Sequence, residues 1–171
     1  VNYDDNMEFK TNISSFTNGT FKWGEVKGDV ICDSCNSLKT LEGAPQEVGG
    51  DFYCGACNSL ESLEGAPQKV EGVFYCGESN SLKSLNGAPQ KVGGDFDCSF
   101  CKSLKSLEGS PKEVGGKFIC NYCLLLTSLK GAPQKVGGDF ECKKCKSLKS
   151  LEGAPEKVYN FFCNNCDNLK S

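Results

Sequence analysis

Hydrophobic and polar positions along this chain recur in step. From Val48 to Lys69 the order is Val-Gly-Gly-Asp-Phe-Tyr-Cys-Gly-Ala-Cys-Asn-Ser-Leu-Glu-Ser-Leu-Glu-Gly-Ala-Pro-Gln-Lys, and it begins again at Val70. The first cysteine of each copy marks the period: Cys32, Cys54, Cys76, Cys98, Cys120, Cys142 and Cys163, with five steps of 22 residues and one of 21. Self-similarity at a short fixed period predicts a solenoid, in which each coil buries its inner face against its two neighbours. The pattern predicts a mainly β repeat solenoid of about seven 22-residue coils over 26–171. Residues 1–25 fit the unit poorly and read as a degenerate N-terminal capping segment.

Within a coil, Phe-x-Cys reads as a short strand entering a bend. Alternation puts Phe52 and Cys54 on one face and Asp51, Tyr53 and Gly55 on the other. Repetition of Phe and Cys marks theirs as the inner face. Phe52, Phe74, Phe96, Phe118 and Phe140 should form one buried column, and Leu60, Leu82, Leu104, Leu126 and Leu148 another. Ser-Leu-x-Ser-Leu, with its leucines three apart, fits neither a flat strand nor a long helix and predicts an extended arc. Gly-Ala-Pro-x-x-Val predicts a turn in which Pro fixes φ. Gly-Gly is expected to supply positive φ where the chain doubles back. The last coil loses one residue and the Gly-Gly pair, so 158–171 reads as an atypical cap.

Charge changes the picture by exclusion. Nineteen basic against 22 acidic residues give a net charge of −3, without the basic excess usual in nucleic-acid binders. No apolar run approaches the roughly 18 residues that span a membrane. The chain has no His, so the commonest general base is missing. No catalytic constellation and no cofactor motif is present, and a non-enzymatic role is expected. Asp29, Asp51, Asp95 and Asp139 share an outer lane that Val73, Lys117 and Asn160 interrupt, which favours a solvated turn position over a carboxylate site. Lys143, Lys144, Lys146 and Lys149 form a local basic cluster. It is either a wet face or a contact for an acidic spot on a partner.

The 13 cysteines admit three readings. Cys32-x-x-Cys35, 18 residues, then Cys54-x-x-Cys57 has zinc-site spacing. Any solenoid with two cysteines per coil generates that spacing, however, and Ser79 breaks the pair in the third coil. An odd number of thiols disfavours a complete disulfide scaffold. Buried thiol ladders are the favoured reading, because Cys packs as a small apolar group. Reduced cysteines in bulk point to a cytoplasmic protein, and to the host-cell cytoplasm if the chain is phage-encoded.

Phe-x-Cys-x-x-Cys-x-Ser-Leu-x-Ser-Leu resembles the leucine-rich repeat in its cysteine-containing and short bacterial forms. Phe52 would take the second leucine position, Cys54 the third, and Cys57 the Asn/Cys position whose side chain binds backbone in the bend. The Leu-Glu-Gly-Ala-Pro-x-x-Val-Gly-Gly arrays are also similar to tandem repeats of bacterial and phage proteins. The resemblance covers 26–171. It implies recognition, usually of a protein, by the concave sheet.

Positions that vary between coils are free to serve a ligand. The lane between Phe and Cys reads Ile31, Tyr53, Tyr75, Asp97, Ile119, Glu141, Phe162; the lane before the second Cys reads Ser34, Ala56, Glu78, Phe100, Tyr122, Lys144, Asn165. Large apolar residues dominate the first lane although it should face water. A partner-binding surface is therefore expected at Ile31, Tyr53, Tyr75, Asp97, Phe100, Ile119, Tyr122 and Glu141. The alternatives are a Cys-rich zinc-binding array and a self-assembling module that pairs copies as a homodimer through the C-terminal end.

Overall fold

The structure, a computed structural model, describes residues 25–170. The capping segment expected over 1–25 lies outside the described residues except for Glu25. That residue already pairs with Glu47 as part of the solenoid.

Each turn lays down two strands of two residues. The first set is β2 (Val30–Ile31), β4 (Phe52–Tyr53), β6 (Phe74–Tyr75), β8 (Phe96–Asp97), β10 (Phe118–Ile119), β12 (Phe140–Glu141) and β13 (Phe161–Phe162). They form a seven-stranded parallel sheet in coil order. The second set is β1 (Glu25–Val26), β3 (Glu47–Val48), β5 (Lys69–Val70), β7 (Lys91–Val92), β9 (Glu113–Val114) and β11 (Lys135–Val136), a six-stranded parallel sheet. The seven Phe-x-Cys units thus bound about six complete turns, one fewer than the count of units. Gly-Ala-Pro-x-x-Val does more than turn, since its last two residues are the second strand, with Val buried. Ser-Leu-x-Ser-Leu is the expected irregular arc.

Successive copies run in the same direction, so identical residues fall in register, Phe52 on Phe74 and Phe74 on Phe96. The Phe rings stack from Phe52 to Phe161 with centroids 5.2–5.3 Å apart and nearly parallel planes. The five central rings are fully buried, as are Leu60, Leu82, Leu104, Leu126 and Leu148. In the last coil the ladder continues through Phe161, so the missing residue is absorbed before the strand.

Two backbone devices shape each coil. Gly43, Gly65, Gly87, Gly109, Gly131 and Gly153 sit at φ of 86–94° in the Gly-Ala-Pro corner, where only glycine is at ease. The Gly-Gly pair, expected to carry positive φ, does not. It serves close approach instead: a Cβ on Gly93 would strike the Glu71 carbonyl, and one on Gly115 the carbonyl of Gly93. The second device is a left-handed residue just before the second cysteine of each coil, or before Ser79 in the third. Ser34, Ala56, Glu78, Phe100, Tyr122, Lys144 and Asn165 all have φ of 54–61°.

From the second coil on, the second cysteine, or Ser79 in the third coil, fastens that bend to the previous coil. Cys57 Sγ donates to Cys32 O (3.2 Å), Cys101 to Cys76 O (3.4 Å), Cys123 to Cys98 O (3.4 Å) and Cys145 to Cys120 O (3.2 Å). Ser79 takes the same place: its Oγ donates to Cys54 O (3.4 Å) and accepts from Cys57 N (3.2 Å). The exception in the sequence is therefore an equivalent in the structure. Ser79→Cys is expected to change stability by less than about 1 kcal/mol, whereas Ser79→Ala leaves a buried carbonyl and a buried N–H without that partner and should cost about 1–3 kcal/mol. Urea denaturation of the two variants checks the difference.

The Asp lane is also structural rather than simply solvated. Asp29 Oδ1 accepts from Asp51 N (2.8 Å), Asp51 Oδ1 from Val73 N (2.7 Å) and Asp95 Oδ1 from Lys117 N (2.7 Å), each one coil ahead. A carboxylate hydrogen-bonded to backbone N–H ties neighbouring turns where the strand ladder has not yet begun. No described helix is long and apolar enough to cross a membrane.

Candidate functional site

The outward side chains of the seven-stranded sheet form two adjoining lanes. In the strand lane, Ile31 is exposed and pairs in register with Tyr53. Tyr53 and Tyr75 follow with ring centroids 6.4 Å apart, tilted by 56°. Both tyrosines are half-buried. Tyr75 lies over two glycines, since a Cβ on Gly55 or Gly77 would run into its ring. Its hydroxyl donates to Glu78 Oε1 (3.1 Å), and that of Tyr53 to Asp51 Oδ2 (2.8 Å). Burial, and then the Glu78 carboxylate, push the Tyr75 pKa up.

Asp97 lies between Tyr75 and Ile119 in register. Burial raises its pKa, against the lowering effect of the Ser99 N–H held at 2.8 Å. Ile119 is half-buried. Glu141 closes the lane inside a charged knot: Lys143 Nζ lies 2.7 Å and Lys117 Nζ 3.7 Å from it, and Asn121 donates to it at 3.1 Å. Burial pushes its pKa up, but these donors outweigh burial and leave it below the usual value. Lys117 also reaches Asp139 (3.3 Å), and Lys143 sits 4.7 Å above the Phe162 ring.

The bend lane is built by the left-handed residues, and the structure brings Phe100 and Tyr122 together there. Their rings stack at 4.4 Å with 13° between planes. Lys144 Nζ stands 4.8 Å from the Tyr122 centroid and donates to its hydroxyl at 2.6 Å. Phe100 is 43% exposed, so this aromatic pair faces outward rather than into the core. The partner-binding residues expected from the sequence thus fall into three groups: the Ile31–Tyr53–Tyr75 run, the Asp97–Ile119–Glu141 run, and the Phe100–Tyr122 stack.

Two features of the site were not anticipated from the sequence. One is the positive φ beneath the whole bend lane, whose seven residue types share no common signal. The other is Leu124–Leu125, at 36% and 44% exposure. These replace the polar pair, such as Asn58-Ser59 or Lys102-Ser103, that the other coils carry in the same place. That break in the repeat was visible in the sequence, but it runs directly into buried Leu126 and reads there as more core.

The deeply buried cysteines offer little reactivity. Burial raises the thiol pKa of Cys54, Cys76 and Cys120, and pushes that of Cys145 up to about 12. A thiol held protonated is a poor nucleophile and a poor metal ligand. Among the described residues no group of three or more Cys, Asp or Glu side chains is placed to hold a metal ion. No family model, no curated protein and no solved structure matches this chain.

Proposed function

We propose that this chain is a non-catalytic protein-binding solenoid of leucine-rich-repeat-like character, which recognises a protein partner through the outward face of its seven-stranded sheet. The observation that carries this reading is the division between lanes. Inward positions repeat as stacked Phe, Cys and Leu, while outward positions differ from coil to coil and are rich in aromatic residues. Tyr is enriched at binding hot spots and Phe at interface cores, and contiguous apolar patches mark interaction surfaces more often than scattered residues do. The cysteine thiols bonded to backbone in each bend support the leucine-rich-repeat likeness. A reducing cytoplasm suits so many buried free thiols, in keeping with a phage- or bacterium-encoded inhibitor or adaptor.

The test is capture of partners from lysate, identified by mass spectrometry, followed by affinity measurement with substituted chains. Tyr75→Ala and Tyr122→Ala should each weaken binding by about 1–3 kcal/mol. Lys135→Ala, on the six-stranded sheet, should be neutral. Intact affinity in both tyrosine variants, with loss in Lys135→Ala, would move the site to the other sheet.

A further inference from the structure

Three consecutive coils give up stabilising contacts at the same edge. In the first three coils Asn36, Asn58 and Asn80 form a side-chain ladder. Asn58 Nδ2 donates to Asn36 Oδ1, and Asn80 Nδ2 to Asn58 Oδ1, both at 3.0 Å; the backbone N–H of Asn58 and of Asn80 adds a second bond of 3.2 Å to the same oxygens. The next three coils carry Lys102, Leu124 and Lys146 in that lane, and the ladder stops. Leu125 further replaces the Ser of five other coils and the Asn168 of the last. Two residues before this lane, the left-handed bend holds Phe100, Tyr122 and Lys144. Asn or Gly would adopt that conformation more easily, since a bulky side chain at positive φ costs roughly 1–2 kcal/mol. Every coil but the last accepts that cost at the bend, and coils four to six forgo the polar ladder as well while placing large side chains there. What they gain is exposed: a stacked aromatic pair and two leucines that are not part of the buried core.

Within coils four to six the charge beside this apolar edge is basic, with Glu78 and Asp167 one coil away on either side. Lys102 and Lys146 lie in register on either side of Leu124, and Lys144 adjoins Tyr122. Among the described residues none of these three lysines is in an ion pair, although Lys83, Lys117, Lys130 and Lys143 all are. We propose that this bend edge docks an acidic linear segment of a partner protein, with an aromatic or aliphatic anchor laid on Phe100, Tyr122, Leu124 and Leu125 and carboxylates set toward Lys102 and Lys146. The proposal rests on the protein-binding reading above and names the class of partner. Three turns span roughly 10–15 Å, room for about four extended residues. The apolar anchor supplies affinity, and the unpaired lysines select acidic flanks and speed encounter.

The test is selection from a random peptide display library on the full chain, followed by binding of the enriched peptides to variants. Leu124→Asn/Leu125→Ser restores the pattern of the other coils at exposed positions, so the variant should fold. Enriched peptides should be acidic with a hydrophobic anchor, and this variant should bind them at least tenfold more weakly. Lys102→Gln/Lys146→Gln should weaken them severalfold and flatten the dependence on salt. No enrichment, enrichment of neutral or basic peptides, or unchanged affinity in the leucine variant would overturn the proposal. Peptides lost in Tyr75→Ala but kept in the leucine variant would overturn it while leaving the sheet-face reading intact. Tighter binding of a single-stranded oligothymidylate than of any peptide, lost in the leucine variant, would also overturn it, in favour of a nucleic-acid edge.

Discussion

Raising the pH past about 9 under reducing conditions is expected to unfold this protein steeply. Cys32, Cys54, Cys76, Cys98, Cys101 and Cys120 are fully buried, and all have raised thiol pKa values. Burial is the main cause in five of them; in Cys98 the hydrogen-bonded Cys123 thiol comes first and burial second. In the unfolded chain each thiol ionises near its ordinary value, about 8.5. The folded pKa lies above the unfolded one, so the stability these groups lend is full below about pH 8.5 and is lost as pH climbs toward the folded values. Above the unfolded pKa the unfolded state holds fewer protons, and each cysteine tilts the balance by up to about 1.4 kcal/mol per pH unit. Six together give a slope of about 8 kcal/mol per unit, against a typical total stability of about 5–15 kcal/mol. Urea midpoints from pH 7 to 10 should hold level to about pH 8 and then collapse within one or two units. Cys98→Ser should make the slope shallower. The zinc-array alternative predicts the opposite sign, because a metal-bound thiolate is already deprotonated in the fold and binding strengthens as pH rises. A stability that increases between pH 7 and 9, or stays flat to pH 10, would end the buried-thiol account.

What the sequence made legible is what the period repeats. Phe52 to Phe140 stack because residues 22 apart must meet in a parallel solenoid, so the column could be read without any propensity argument. The second sheet could not be read in that way. Glu47–Val48 and its equivalents are two residues long, too short to show alternation, and they follow a Pro corner that reads as loop. Glycine signals that a position is special without saying how: positive φ fell to Gly65 and Gly87, and close approach to Gly93 and Gly115. Asp51 looked like a wet turn residue because its partner, the N–H of Val73, is a backbone group one coil away that no local pattern reveals. In the candidate surface, Tyr75 stood out by the variation of its lane between coils. Its half-burial was hidden, since it depends on Gly55 and Gly77 letting the tyrosine ring lie flat. Leu124 and Leu125 show that a break in a repeat can be as informative as the repeat.

Replacing Phe96 with Ala should destabilise the solenoid by about 3–5 kcal/mol, the range for truncating a fully buried Phe. Phe96 sits midway in the ladder, its ring 5.3 Å from Phe74 and 5.2 Å from Phe118, with nearly parallel planes. Its loss removes a large buried side chain and two ring contacts at once. The neighbours have little freedom to close the gap, because the strand ladder holds Phe74 and Phe118 in register with it on either side. A solenoid adds a further consequence. Each coil contacts only its neighbours, so stability is close to a sum of interfaces between adjacent coils. A cavity in coil four weakens the interfaces on both sides and should split the transition, with the first coils and the last melting apart. Phe161→Ala, in the half-buried last member of the ladder, removes one ring contact instead of two. It should cost less than half as much and leave a single transition. Hydrogen exchange resolved along the chain distinguishes the cases: lost protection should centre on 74–118 in Phe96→Ala and be confined to the terminal coil in Phe161→Ala. Equal loss in both variants would mean that the chain melts as one cooperative block rather than as stacked coils. A Phe96→Ala chain as stable as the parent would mean that the Phe column does not hold the coils together.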